Sequence, residues 1–471
     1  AEHAITRNQG RTTLSLDAAA VSRRGEPARL NRMPETLSNS RRHLAVASLL
    51  AGLTVALQLA WVFTDTSRPM NDDRGLYRLS ICFSDTSRSM RQVFMECQVS
   101  GAPYPPLTPL LAVAHFKLAG AVSVPVAIIS QWPFYALLVI SLFYGVRREA
   151  GTLAGAAAAA LGPVLLFETH MRGFFYTAIP LAALTVASIT CLRASEGFRR
   201  PLLSLGLGIC LAAGLLTKWT FAFFLCPPVL LAVMLALLRV GTHWWVGAAP
   251  AALFFGFTAA TAAGLAGVLP HGLALGGACL ALGALYLALL RQHRRELLVE
   301  GWQAHMLGIG IFSLSTAALA GPWYLIMMEP LQEFLTANLS FQFDGDLMTL
   351  GTTWPYYLTV LYYRVPTPLL LLALAGLARA LLPGGSPLVR WSTVALISGM
   401  AILMVMPYRT DRYLMPGIGL VVPSIVLASS WHPRLKKGLC WVLLGFGLLY
   451  QVGWLHPHLG VDLRRLPLLL A

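Results

Sequence analysis

Long apolar runs alternate with short polar connections from residue 44 almost to the end of the chain. A helix of about 20 predominantly apolar residues crosses the ~30 Å hydrocarbon core of a bilayer. Runs of that kind predict an all-α, polytopic transmembrane helical bundle. The first span is Leu44–Phe63. The later ones are 124–145, 150–167, 174–192, 201–217, 219–238, 244–268, 272–290, 305–325, 357–380, 388–406, 413–430 and 438–454. The segment Pro105–Gly120 is apolar but short, opens on two prolines and carries His115 and Lys117. Counting it as a crossing gives fourteen spans, and laying it at the interface gives thirteen.

Charge decides between these topologies. With thirteen crossings, the connections on the amino-terminal side hold fourteen basic residues, among them Arg147, Arg148, Arg193, Arg199, Arg200, Arg379, Arg390, Lys436 and Lys437. The opposite short connections hold four, Arg172, Lys218, Arg409 and Arg412. The positive-inside rule therefore assigns the amino terminus to the cytoplasm and makes 105–120 a juxtamembrane helix. Residues 1–42 are polar, Arg-rich and unpatterned. They read as a disordered cytoplasmic tail, not a signal peptide, because no apolar core precedes a cleavage site. The transmembrane domain is then 43–456, followed by a short extracytoplasmic tail, 457–471.

Composition refines this picture. The hydrophobic share of 56% against 12% charged excludes a soluble enzyme. The net charge of +15 would suggest nucleic acid in a soluble domain, but here the basic residues lie in membrane connections, so no nucleic-acid partner is expected. Thirty-one of the 35 basic residues are Arg, and with the Ala and Leu excess this usage points to a GC-rich bacterium and its inner membrane. Five cysteines, Cys191, Cys210, Cys226, Cys279 and Cys440, lie in or beside apolar spans and read as small packing residues. Cys82 and Cys97 share one outer loop, where a disulfide can form if that loop lies outside the cytoplasm.

The topology leaves two long outer loops, 64–104 and 326–356. The first contains an imperfect repeat, Phe63-Thr-Asp-Thr-Ser-Arg-Pro-Met70 and Phe83-Ser-Asp-Thr-Ser-Arg-Ser-Met90, whose Asp, Thr and Ser are helix N-caps. Two short amphipathic helices resting on the membrane surface are expected there. None of the twenty acidic residues falls within a predicted span, and twelve of them, including Asp72, Asp73, Glu168, Glu333, Asp344, Asp346 and Asp411, lie on the outer face. A carboxylate facing several cations at a membrane surface suits transfer from a lipid-linked phosphosugar. The carboxylate takes the acceptor's proton while the cations neutralise the departing phosphate.

Several short motifs carry a family resemblance. They are Asp72-Asp73-Arg74-Gly75-Leu76-Tyr77, Tyr104-Pro105-Pro106-Leu107, Gly214-Leu-Leu-Thr-Lys218-Trp219, Gly321-Pro322-Trp323-Tyr324 with Glu333-Phe334-Leu335, Trp354-Pro-Tyr-Tyr357 with Pro366 and Pro368, and Arg412-Tyr413-Leu414-Met415-Pro416. In this order they resemble the polyprenyl- or dolichyl-phosphate-sugar-dependent glycosyltransferases of the GT-C fold, notably the protein O-mannosyltransferases and the lipid A aminoarabinose transferase. The resemblance covers roughly 61–420 in pieces. It implies a catalytic carboxylate at Asp73, with Asp72 second, and substrate contacts at Glu168, Arg172, Lys218, Arg409, Arg412, Tyr413 and Tyr104. It also implies inversion at the anomeric carbon of a polyprenyl-phosphate sugar. The acceptor would be a lipid, glycan or protein. A divalent metal, Mg or Mn, is compatible with such chemistry, although no ligand cluster stands out.

Two departures matter. The family follows its Asp with a Glu. Spacing to Tyr77 aligns Asp73 with that Asp and leaves Arg74 in the place of the Glu; alternatively Asp72-Asp73 is the pair, with one residue gained. Arg172 is followed by no nearby acid, so Glu168 substitutes or the role is absent. Each candidate also has a plainer reading. Asp72 and Asp73 can cap a surface helix, Lys218 can snorkel at a span end, and Arg409 and Arg412 can hold Asp411 or lipid headgroups. His115, His271 and His305 read as interface residues. A transporter or flippase is the competing class, but it should show repeated halves and mid-membrane polar residues, and neither is evident.

Overall fold

The computed structural model describes residues 37–64, 72–84, 90–97, 104–167, 177–240, 302–340, 356–382, 385–405, 411–428 and 433–453. Among them every regular element is helical. In chain order these are α1 Leu37–Thr64, α2 Asp72–Phe83, α3 Met90–Glu96, α4 Leu107–Ala119, α5 Val124–Ile129, α6 Trp132–Ala150, α7 Thr152–Phe167, α8 Ala178–Ala194, α9 Pro201–Leu215 and α10 Phe221–Val240. Then come α11 Trp302–Ile326, α12 Met328–Ser340, α13 Tyr356–Arg364, α14 Thr367–Leu381, α15 Pro387–Val405, a 3-10 turn Asp411–Leu414, α16 Met415–Ile418, α17 Val421–Ala428 and α18 Pro433–Gly453. Contacts divide the chain into units 1–45 and 46–471, and of the first only the opening turns of α1 are described.

Four stretches, Asn39–Ala60, Val124–Ala150, Gln303–Ile326 and Leu435–Val452, are long and apolar enough to cross a membrane. Shorter apolar helices pack among them. The expected spans 244–268 and 272–290 lie outside the described residues. The segment read as one crossing at 357–380 is instead two helices, α13 and α14, that meet at 118°. Pro366 and Pro368 account for the break, since each lacks an N–H and disfavours helix in the residue before it.

The core is held by small residues that let helices approach closely, with a few polar pairs between them. Helices α9 and α11 run parallel. Thr316 Oγ1 donates to the Gly208 carbonyl at 3.2 Å, and a side chain at Gly208 would overlap Ser315. The ring of His305, near the start of α11, pairs with the Gly197 carbonyl just before α9, while Tyr324, near the end of α11, bonds at the end of α9. Elsewhere Gln451 of α18 donates to the Ala160 carbonyl of α7 at 2.7 Å and accepts from Thr54 of α1 at 3.1 Å. In apolar surroundings such bonds give each amide atom a partner that lipid cannot supply.

At the end of the bundle where α9 begins, Glu149 closes the last turn of α6. Its carboxylate accepts from Arg193 Nε at 3.1 Å, from the Leu388 amide at 3.0 Å and from the Ser386 hydroxyl. Arg148 and Arg200 both reach Glu196, at 2.5 and 2.8 Å. The basic connections at 147–148, 193–200 and 386–390 thus gather at one face. This agrees with their assignment to one side of the membrane.

The segment expected to form the first outer loop builds its own small core. Leu76, Leu79 and Phe83 of α2, Val93 of α3, Ala112, Val113 and Phe116 of α4, and Ala127 and Ile128 of α5 pack together with Val62. Cys82 and Cys97 are joined in a disulfide, as the sequence allowed. The two short helices expected here are α2 and α3; most of the repeat that was expected to cap them lies outside the described residues. Helix α4 has 13 residues, or ~20 Å at 1.5 Å per residue, too short to cross ~30 Å of hydrocarbon. It ends on Gly120 at φ +64°, a left-handed C-cap that glycine adopts without a Cβ penalty.

Candidate active site

The turn between α9 and α10 is the point on which the motifs converge. Helix α9 cannot continue past Leu216, and its last carbonyls must find donors. Gly214 O takes the amides of both Thr217 and Lys218, each at 3.0 Å, and Thr217 Oγ1 donates to Ala213 O at 2.8 Å. The Lys218 carbonyl in turn accepts from the Phe221 amide at 3.1 Å. Gly214 has a steric reason to be glycine, because a Cβ there would overlap the Phe221 ring. That ring, fully buried, locks the start of α10 back onto α9.

Two further carbonyls of this turn are claimed by distant motifs. The Leu107 amide, at the end of Tyr104-Pro-Pro-Leu107, donates to Leu216 O at 2.9 Å. Tyr324 Oη donates to Leu215 O at 3.0 Å. Beneath them Ala212, Trp323, Tyr324, Met327 and Leu331 form an apolar cluster against which Trp219, Phe94 and Phe334 pack. The Trp323 and Tyr324 rings meet edge to face at 4.8 Å, and Phe94 of α3 meets Phe83 of α2 at 5.7 Å. Helices α2 and α3, the α11–α12 junction and the Leu-Thr-Lys turn thus share one assembly.

Lys218 is 8% exposed, unlike a side chain that snorkels to water. Its Nζ lies 4.8 Å from the centroid of the Tyr413 ring. Tyr413 belongs to the 3-10 turn Asp411–Leu414, which leads into the buried Met415, Pro416 and Gly417. Helix α13, carrying the fully buried Tyr357, packs on the same turn. A desolvated ammonium over a ring face gains up to ~2 kcal/mol. Lys218 and Tyr413 are therefore brought together from distant parts of the sequence.

The other sequence candidates fall as follows. Tyr104 is half-buried and packs against the outer-loop core with Tyr77, and Tyr77 meets Phe116 edge to face at 6.2 Å. Asp72 and Asp73 are the first two residues of α2, and Arg412 adjoins Tyr413 in the 3-10 turn; their side chains lie outside the described residues. So do Glu168, Arg172, Arg409, Asp344 and Asp346. No group of three or more His, Cys, Asp or Glu residues converges on a metal-sized site among the described residues. His305, read as an interface residue, is buried against Gly197.

Two residues near this turn escaped the sequence reading. Thr108, next to Leu107, and Thr220, two residues past Lys218, are almost wholly buried, and their hydroxyls have no hydrogen-bond partner among the described residues. Their adjacency to Pro-Pro-Leu and Leu-Thr-Lys was the available signal.

Comparison with solved structures shows where the fold recurs. ArnT from Cupriavidus metallidurans, in the apo state, superposes with a TM-score of 0.53 at 12% identity, over 90% of this chain and 66% of its own length. The archaeal oligosaccharyltransferase AglB from Archaeoglobus fulgidus, in complex with an inhibitory peptide and a dolichol-phosphate, gives 0.50 at 16% identity over 89% and 56%. The chain shares its fold with both proteins, in keeping with the GT-C fold expected from the motifs. The chain spans less than two thirds of the length of either structure. No protein-family model and no curated protein matches the sequence.

Proposed function

We propose that this chain is an integral membrane glycosyltransferase that moves a sugar from a polyprenyl-phosphate donor to an acceptor at the extracytoplasmic face. The observation that carries the reading is the buried Lys218 ammonium on Tyr413, at a turn to which the Pro-Pro-Leu and Gly-Pro-Trp-Tyr motifs are hydrogen-bonded. A cation built into a GT-C-like fold suits the phosphate of a lipid-linked sugar. AglB, which shares the fold, was solved with a dolichol-phosphate. The Cys82–Cys97 bridge favours an oxidising compartment for the loop that carries it.

In this reading Asp73, or Asp72, accepts the proton of an acceptor hydroxyl or amine as that atom attacks the anomeric carbon. The new glycosidic bond forms as the sugar–phosphate C–O bond breaks, with inversion. The bonding pair leaves on the polyprenyl phosphate, and Lys218, Arg172 and Arg412 stabilise its growing charge. Arg409, Glu168 and Tyr104 are assigned to donor binding in this reading, and Tyr413 backs the lysine. Asp72 and Asp73 are the first two residues of α2, a helix packed on α4, and α4 is tied to the Lys218 turn by the Leu107 amide. The acceptor is a lipid, a glycan or a protein of the cell envelope. Within this reading the transferase occupies 43–456.

Mass analysis of lipid-linked sugars in a strain lacking the gene tests it. The donor should accumulate there and return to normal with the wild-type gene, but not with Asp72→Asn/Asp73→Asn. An unchanged polyprenyl-phosphate-sugar profile in the deletion strain would contradict the reading.

A further inference from the structure

We infer that Tyr413 is a positioning residue whose ring face, not its hydroxyl, holds the Lys218 ammonium in place. The inference deepens the transferase reading and rests on it for the phosphate, but the placement of the lysine stands without it.

A lysine at the end of a membrane helix ordinarily extends its stem toward water. Lys218 does not, although its flexible four-carbon stem would permit it. Its backbone is fixed by the Gly214 carbonyl on one side and the Phe221 amide on the other, so only the side-chain torsions are left to set where the charge sits. The ammonium lies over the ring of Tyr413, 4.8 Å from its centroid.

That ring is itself anchored. It packs against the main core, and the residues after it, Leu414 and Met415, are fully buried. The 3-10 turn that presents it is braced by α13, α15 and α16. The chain thus uses a rigid element to hold a flexible side chain. A ring face attracts an ammonium through its quadrupole. The pair also ties the turn after α9 to the turn before α16, and it puts Arg412 one residue from the ring that carries Lys218.

The face and the hydroxyl make separable demands. Phenylalanine and tryptophan keep a face, whereas leucine keeps bulk without one. Acylation of the purified full-length protein by acetic anhydride, read by peptide mass spectrometry, reports how exposed and mobile each lysine is. Besides Lys218 the chain has only Lys117, Lys436 and Lys437, which serve as internal references.

Lys218 should be slow to acylate in the wild type, in Tyr413→Phe and in Tyr413→Trp. It should become several-fold faster in Tyr413→Leu while the reference lysines hold their rates. Loss of a ~0.5–2 kcal/mol contact should also raise the donor KM of Tyr413→Leu by roughly 2- to 30-fold. Fast acylation in Tyr413→Phe or Tyr413→Trp with unchanged references, or slow acylation in Tyr413→Leu, overturns the inference. If Tyr413→Leu does not fold, the two aromatic variants decide it alone. Sugar transfer absent from the wild type, with the acylation pattern intact, would reject the transferase reading and leave the positioning role standing.

Discussion

The Leu107 amide donates to the carbonyl oxygen of Leu216 at 2.9 Å. These atoms come from the start of α4 and from the turn that carries Lys218, so α4 is hydrogen-bonded directly to the candidate site. The Leu215 carbonyl, one residue earlier, is taken by Tyr324 in the same way. Consecutive carbonyls at the end of α9 thereby fix two outer segments around one lysine.

Tyr324→Phe removes only the hydroxyl that satisfies Leu215 and keeps the ring against Trp323. A buried hydrogen bond of this kind contributes about 1 kcal/mol net. Unfolding of the purified protein in detergent should show a loss of that size, with donor affinity reduced in parallel because the Lys218 turn loosens.

Gly214→Ala should be far more damaging than its size suggests. The added Cβ overlaps the Phe221 ring, and overpacking of this kind costs ~1–3 kcal/mol. Donor affinity should fall with stability. Adding Phe221→Leu, which makes room, should restore part of both, as measured by thermal unfolding and transfer rate side by side.

Much of this arrangement was legible in the sequence, for identifiable reasons. Apolar runs marked the helices, and the two prolines before a short apolar run marked α4. The Leu-Thr-Lys, Pro-Pro-Leu and Arg-Tyr-Leu motifs named the right neighbours, but not that Lys218 would rest on Tyr413. Three-dimensional apposition leaves no periodic trace in either segment. The parallel pairing of α9 and α11 was equally hidden, because it depends on Gly208 and Gly308 facing the other helix, which composition does not reveal. The break between α13 and α14 could have been read from Pro366 and Pro368, which instead entered as family landmarks within one continuous span.

The disulfide should brace the site as well as the loop. Cys97 ends α3, and Phe94 on that helix packs against the cluster beneath Lys218. Closing a loop of sequence separation 15 contributes ~3 kcal/mol to local order. Cys82→Ser/Cys97→Ser should fold in the membrane yet lose transfer rate. Thiol alkylation of the wild type should find Cys82 and Cys97 unreactive until a reductant is added.

Glu149 lies at the opposite end of α9's neighbourhood, so its loss should affect stability and not donor binding. Glu149→Ala leaves Arg193, Ser386 and the Leu388 amide without their shared acceptor. With Glu149 itself 8% exposed and Arg193 23%, a loss of ~1–3 kcal/mol is expected. Donor KM should remain that of the wild type; a raised KM would place this network in the site.

The most direct measurement is sugar transfer from a polyprenyl-phosphate donor by reconstituted Asp72→Asn, Asp73→Asn and the double variant, at matched expression and with the Cys82–Cys97 bridge intact. Removing a general base costs ~100- to 10,000-fold in rate. Asp73→Asn should therefore fall by that order and the double variant to background, while both still bind the donor. Transfer at the wild-type rate by the double variant would show that neither carboxylate is the base.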